Sequence, residues 1–434
     1  MAAIDRSIYE QIFIESTDKS KTVDIRLGTV SVDYYEDIFS PTITAKLTVI
    51  NTGDSINNQS VYNGLPLRGG ERVAIKIRGN STSNPGLDFC TSPKDYLYVS
   101  SISNVISATK NESFVLHLVS REAITNETSR VPKKYPTSNT IDVSAKSIIE
   151  EYLKTEKPIT VDKASNTYGF IGNLRKPFTV LVWLASRAIP DISGDATAGY
   201  VFYQTKDGYF FRSIDKMIDE KPKASYVFTE VNESYIERKN DYNVLSYTTT
   251  RNQNLLEKLR LGTYASNRTF YNVLDFTFTS PDKGAFKMKD YAGKVETLGS
   301  KFGPEILPKV SENSSQNLGD LPSRIITQVL DIGTMDPIVS KADNSNPIRY
   351  QSQSIMRYNL LFTQTLNMTV PSNTNLRAGD IIECKFPKIT NQKEQEFDED
   401  QSGLYMIKEL CHHFDAKGSY TSMKLLRDTF GRKG

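Results

Sequence analysis

One stretch of this sequence is met twice. LRGGERVAIKIR begins at Leu67 and LRAGDIIECKFP at Leu376, an offset of 309. YVSSISNVI from Tyr98 is matched by YMIKELCHHF from Tyr405, an offset of 307, with a long polar loop (79–95 and 388–402) before each. KNESFVLHLVSRE and KGSYTSMKLLRDT then close the two copies with a turn and a strand. RLGT adds a fourth match, at Arg26–Thr29 and Arg260–Thr263, with an offset of 234. Segments recurring in one order predict an internal duplication, which binds the two parts of the chain to one architecture. The step from 234 to about 308 places roughly 74 extra residues in the second copy. The polar, Pro/Ser/Asn-rich stretch from 280 to 350 accommodates them.

The repeated segments read as strands. IFIES, TVDIRLGTVSV, TITAKLTVI, RVAIKIR (72–78), YLYVSSISNVI (96–106) and SFVLHLVS (113–120) alternate or run β-branched between turn residues. The aromatic content, 23 Tyr and 20 Phe with one Trp, suits half-buried strands. The first 120 residues therefore predict an antiparallel barrel or sandwich. The period then changes. Asp142–Lys154 places Ala145, Ile148, Ile149, Tyr152 and Leu153 on one helical face, with Asp142 or Ser144 as N-cap. PFTVLVWLASRAI (177–189) opens with a proline suited to a first helical turn. GYVFYQTKDGYFFRSI (199–214) predicts a hairpin turning at Asp-Gly, and PSRIITQVLDIG from Pro322 predicts a short helix.

The fold class expected is mainly β with α+β insertions. It comprises two related tube-like antiparallel β-barrel domains, an α+β domain and a small inserted domain. The boundaries are 1–124 for copy A, 125–225 for the α+β domain (two helices plus hairpin), 226–280 with 350–434 for copy B, and 281–349 for the insertion.

Chemistry is sparse. There is no phosphate-binding G-x-x-x-x-G-K-[ST], no dinucleotide G-x-G-x-x-G between strand and helix, and no G-x-S-x-G elbow. Gly69-Gly70 precedes a strand and reads as a turn or bulge. His412 and His413 beside Cys411 point to opposite faces of a strand and cannot converge on one ion. His117 reads as a packed strand residue with a satisfied hydrogen bond. Cys384 and Cys411 lie on strands that could be neighbours, and read as small buried residues rather than a redox pair. The acidic run 394–400 reads as a solvated loop, with a cation or a basic partner as the other option. The sequence thus singles out no catalytic, cofactor-binding or metal-ligating residue, and no cofactor.

Fifty-three Lys+Arg against 51 Asp+Glu leave a formal charge of +2, too little for a global field that holds nucleic acid or an anionic membrane. No run of apolar residues is long enough to span a bilayer, and the start shows no secretory signal. Three cysteines are too few for a disulfide framework, which suggests cytosolic synthesis.

A barrel copy, an inserted helix–helix–hairpin unit and a second, interrupted barrel copy resemble the central baseplate hub protein of contractile-tailed bacteriophages. The plan is also similar to the hub part of type VI secretion spike proteins. SIIEEYLK, PFTVLVWLASRAI with GYVFYQTKDGYFFRSIDKMI, and LRAGDIIECKFP with GLYMIKELCHHF carry the resemblance. It implies a structural, non-enzymatic protein of the virion tail baseplate, made in the host cytoplasm. It further implies a homotrimer, whose two barrels per chain give a pseudo-sixfold ring adapting the sixfold tail tube to a threefold spike. Partners implied are the central spike protein below, tail-tube or tube-initiator proteins above and baseplate wedge proteins. DNA would pass through the lumen without specific binding during ejection, and no membrane is involved. The sequence ends soon after copy B, which favours a hub with a separate spike. Two other readings stay open: another tail structural protein (distal tail or tube protein), and a β-rich glycan-binding or glycoside-acting protein.

Overall fold

A computed structural model describes residues 6–52, 59–65, 67–81, 84–192, 196–228, 241–273, 276–279, 281–291, 295–301, 307–331, 347–388 and 397–432. In chain order the elements used below are strands β1 (Ile8–Glu15), β2 (Thr29–Asp37), β3 (Thr44–Thr52), β4 (Arg72–Ser81), β5 (Asn84–Asp88), β6 (Leu97–Ser107) and β7 (Asn111–Val119). There follow α1 (Arg121–Thr128), α2 (Ile141–Ile148, continued by a π-helical turn Ile149–Leu153), β8 (Ile159–Val161), α3 (Pro177–Ala185), β9 (Tyr200–Thr205), β10 (Gly208–Ser213) and β11 (Ala224–Val227). The remainder comprises β12 (Ser246–Asn252), α4 (Leu255–Leu261), β13 (Ala265–Asn272), β14 (Arg324–Val329), α5 (Pro347–Leu361), β15 (Gln364–Pro371), β16 (Ile381–Lys385), β17 (Gly403–Asp415) and β18 (Ser419–Arg427). The protein is mainly β, as its composition suggests.

Two runs of five antiparallel strands share one order. In the first it is β2–β3–β7–β6–β4, and in the second β12–β15–β18–β17–β16. The register agrees as well as the order. Arg72 faces Tyr98 and Val73 faces Leu97, while Ile381 faces Met406 and Ile382 faces Tyr405. The β6·β7 ladder slips between Val99 and Ser101 and again between Ser103 and Ile106; the β17·β18 ladder slips between Ile407 and Glu409, the place equivalent to the first of these. A bulge is specified by local backbone and side-chain pattern. The first slip recurs, so the two units agree in backbone detail as well as in strand order.

Turn and core repeat too. Arg68 N–H donates to Glu71 Oε1 (2.7 Å) before β4, and Arg377 N–H to Asp380 Oδ2 (2.8 Å) before β16. Gly70 N–H reaches Val99 O (2.7 Å), and Gly379 N–H reaches Ile407 O (2.8 Å). Both glycines have positive φ, +93° and +94°, which a side chain resists. Buried Val73, Ile75 and Ile77 correspond to Ile382, Cys384 and Phe386. Leu47 and Leu116 correspond to Met368 and Met423. Apolar character is kept at each of these positions although individual volumes change, as from Ile75 to Cys384 and from Ile77 to Phe386.

Gly70→Ala is expected to cost about 1–2 kcal/mol from backbone strain alone, since nothing lies within 4 Å of the added Cβ. Gly379→Ala is expected to cost more than this, because its Cβ would sit 2.8 Å from Met217 Cε and from the Tyr203 hydroxyl. Paired denaturant midpoints of the two variants check the order.

Three expectations are corrected. RLGT does not mark equivalent places: Arg26–Gly28 is a 3-10 turn feeding β2, whereas Arg260 and Leu261 end α4 and Gly262 caps it. The true counterpart of β2 is β12. Val32 to Tyr247 is an offset of 215 and Leu47 to Met368 one of 321, so 106 residues, not 74, separate the copies' lengths here. They lie between β12 and β15. Second, the segment after Pro322 is strand β14, parallel to β13, because Ile325, Ile326 and Val329 are β-branched and fit a pleated edge. Third, the N-cap of α2 is Thr140, with Asp142 and Ser144 inside the helix, and TVDIRLGTVSV is broken by the 3-10 turn.

Between the copies, α2 and α3 pack on the β9–β10 hairpin in a core holding Ile149, Leu181, Leu184, Phe202 and Phe211. A further cluster joins Ile38 of the first copy, Val201 and Tyr203 of the hairpin, Leu361 of α5, and Ile381, Met406 and Leu426 of the second copy. Shared burial of this kind makes the parts one body.

Candidate assembly interface

The two copies meet edge to edge. Strand β2 pairs antiparallel with β17 over seven residues, from Asp37↔Glu409 to Ser31↔Asp415. Period-2 alternation gives the joint two unlike faces. On the solvent-facing side His413 Nδ1 bonds Asp33, His413 Nε2 lies 3.2 Å from Asp415 Oδ2, and Lys408 pairs with Asp37. The hydrogen bond to Asp33, helped by Asp415, holds the His413 pKa above the ordinary histidine value against the opposing effect of burial. A raised folded-state pKa stabilises fully below the unfolded value, about 6.5, and is lost as pH rises through the folded value. His413→Gln is therefore expected to lower stability by about 1–2 kcal/mol near pH 5.5 and by less near pH 8.5. Thermal melts of both proteins at the two pH values read this out.

On the inner side His412 is fully buried, its Nδ1 is 3.0 Å from Thr421 Oγ1 and its ring stacks near Tyr34. Burial, with the Arg377 charge, pushes its pKa down to about 3, so it is a neutral packing residue at ordinary pH. The Tyr34 hydroxyl donates to Glu36 Oε1 (2.7 Å). The same carboxylate accepts Lys206 N–H (2.8 Å) from the hairpin turn and Ala378 N–H (2.9 Å) from the second copy. Glu36 is 1 % exposed, and burial raises its pKa although Arg377 and these donors oppose it. One buried carboxylate thus holds the first copy, the hairpin and the second copy together. Arg377, paired with Asp207 (2.8 Å), completes the joint.

His412 and His413 do point to opposite faces. His117 is half-buried with Nε2 2.8 Å from Ser103 Oγ. Cys384 sits in the second copy's core opposite Gly403, eight residues along β17 from Cys411, a separation of roughly 26 Å at ~3.3 Å per residue. The two thiols therefore do not pair. Burial pushes the Cys411 thiol up to about 12. In the acidic run, residues 394–396 lie outside the described residues, and Asp398 Oδ1 accepts Asp400 N–H and Gln401 N–H within a turn. Sequence reasoning missed Glu36, Tyr34 and Arg357. An acidic residue on the inward face of an alternating strand was the available signal for Glu36.

The cleft beside the joint is lined by Tyr203, Asp207, Arg212, Glu220, Arg377 and Asp380. Three ion pairs line it: Arg212 with Glu220, Lys223 with Asp380, and Arg377 with Asp207. Among the described residues no group of three or more His, Cys, Asp or Glu is placed to hold a metal ion. No helix of the described residues is long and apolar enough to cross a membrane.

Across 96 % of both chains the fold matches a tail protein from Neisseria meningitidis MC58 (TM-score 0.54, 11 % identity). It also matches the 43 kDa tail protein of prophage MuSo2 from Shewanella oneidensis (TM-score 0.53, 10 % identity), over 97 % of this chain and all of that one. The fold is that of phage tail proteins. In sequence the chain is 20 % identical over 305 residues to the probable baseplate hub protein gp334 of Vibrio phage KVP40, which spans 68 % of this chain and 67 % of that protein. No family model matches. The likeness to baseplate hub proteins drawn from strand order and repeat therefore has a counterpart in sequence, and the fold is shared with tail proteins. The β2·β17 joint is where the two repeated units meet inside one chain.

Proposed function

We propose that this chain is a structural baseplate hub of a contractile phage tail. It acts as a homotrimer whose six related units form a pseudo-sixfold ring, adapting the sixfold tail tube to the threefold central spike. The observation that carries this reading is the pair of strand runs with one order and one register, set side by side by an internal joint. A chain holding two equivalent units contributes twice to any ring it enters, so three chains match sixfold and threefold neighbours at once. The reading places spike protein on one side, tube or tube-initiator proteins on the other, and wedge proteins outside. It assigns copy A to 1–124, the α+β unit to 125–225, and copy B to the rest. The insertion within copy B, expected at 281–349 from sequence, is assigned to the wider stretch 253–363 that the register supports. DNA leaves through the central channel, the near-neutral chain lending no strong cationic drag. The role is mechanical rather than enzymatic, and its location is the virion baseplate after synthesis in the host cytoplasm. Electron micrographs of the purified chain test it. End-on views with six lobes around an open centre are expected, and compact single particles would count against it.

A further inference from the structure

The α+β unit lies outside both strand runs, and one of its surfaces gathers positive charge. Two segments run antiparallel there, with Tyr135 opposite Phe170, Lys134 opposite Ile171 and Val131 bridged to Arg175. The pairing brings Arg130, Lys133, Arg175 and Lys176 onto one short stretch. Two of these cations have a carboxylate: Lys176 pairs with Glu127, and Lys133 with Glu151 (2.8 Å). Arg130 donates to the backbone carbonyls of Glu127 and Ser129, which leaves its charge uncompensated. The Arg175 side chain has no hydrogen-bond or ion-pair partner among the described residues.

Arg175 also lines a cavity of about 120 Å³ between this ribbon and α3, with Phe170, Ile171, Asn173, Val180 and Trp183 among its other walls. That volume is well below the ~300–1,000 Å³ of an organic ligand site and suits a single side chain. The turn that leads into Arg175 is unusual. Asn173 and Leu174 have φ of +49° and +55°, a region that non-glycine residues rarely adopt, and Leu174 is 63 % exposed. A guanidinium without a counter-ion, in the wall of a pocket this small, fits a carboxylate, which it holds through two parallel N–H···O bonds. The cations around it add attraction at longer range.

We propose that this surface docks an acidic segment of a partner protein, with one Asp or Glu side chain of that segment held by Arg175 in the cavity. The inference goes beyond the hub reading and does not depend on how many chains form the assembly. A nucleic acid suits the surface less well. Trp183 carries the Arg187 guanidinium 4.2 Å from its ring centre and meets Tyr168 and Phe170 edge-to-face at 5.4 Å each. Its ring is packed by three neighbours, whereas base stacking needs an open face.

Trp183 is the one tryptophan of the chain, so its emission reports on the cavity. The test is titration of the full chain with acetylated hexaglutamate, and with acetylated hexaglutamine as the uncharged control. A saturable change with hexaglutamate, weakening as salt is raised, and none with hexaglutamine are expected. Arg175→Gln should weaken hexaglutamate binding by about tenfold, since it removes the bidentate contact. Lys110→Gln, which removes one exposed cation from the first copy, should leave binding unchanged. Calorimetric titration with the same peptides gives the same order without relying on emission. No saturable binding of hexaglutamate, or equal binding by Arg175→Gln and the unmodified chain, overturns the site. Equal losses in Arg175→Gln and Lys110→Gln reduce it to net charge and overturn it as well. Tighter binding of a six-nucleotide oligothymidylate than of hexaglutamate overturns the assignment to a protein partner.

Discussion

Arg357→Met is expected to lower stability by about 3–5 kcal/mol, among the largest effects of any single change in this protein. Arg357 projects from α5 and is fully buried. Its guanidinium lies 2.7 Å from Asp215 of the short helix after the hairpin and 3.1 Å from Asp428 just beyond β18, and donates to Glu296 O (2.7 Å). One cation therefore bridges two buried carboxylates from two different parts of the chain. Methionine fills much the same volume but leaves both carboxylates without their counter-charge, and an unpaired buried charge is far more costly than an intact pair is helpful. Two further exchanges make the argument specific. Adding Asp215→Asn and Asp428→Asn to Arg357→Met should recover part of the loss, since neutral amides replace stranded charges. Urea midpoints of the single and triple variants settle this. No recovery in the triple variant would mean that Arg357 acts through packing instead.

Ile149→Asp is the second large effect, expected at about 4 kcal/mol or more, against about 1 kcal/mol for Ile149→Val. Ile149 begins the π-helical turn of α2, is fully buried, and packs in the core that joins α2 and α3 to the β9–β10 hairpin. Aspartate there removes a buried side chain and forces a charge into apolar surroundings with no partner provided. Thermal melts of both variants measure the difference. Equal melting temperatures for Ile149→Asp and the unmodified chain would remove α2 from the core.

Much of this architecture was legible in the sequence, and the physical reason is periodicity. Strands of the two copies alternate strongly, and the LRGGE and LRAGD turns repeat because each needs a glycine at positive φ and an acidic acceptor just after it. The amphipathic α2 and the Asp-Gly hairpin likewise follow from local chemistry. The failures share the opposite character. RLGT is four residues that serve a 3-10 turn once and a helix end once, since such short strings carry no tertiary information. Strand β14 after Pro322 is held by its parallel partner β13, a contact 58 residues away in sequence at Ser266↔Arg324. The joint was invisible for the same reason. Glu36, Lys206 and Ala378 come from three regions, and only the folded chain brings a strand carboxylate to two backbone amides. Arg357 and its two aspartates are likewise a long-range set.

The central claim is that one chain supplies two equivalent units and three chains complete the assembly. Native mass measurement of the purified chain, alone and with its spike protein, tests this most directly. The account predicts a species of three times 48.9 kDa in at least one of the two conditions. A stable monomer or dimer in both would contradict it, and would favour another kind of tail structural protein.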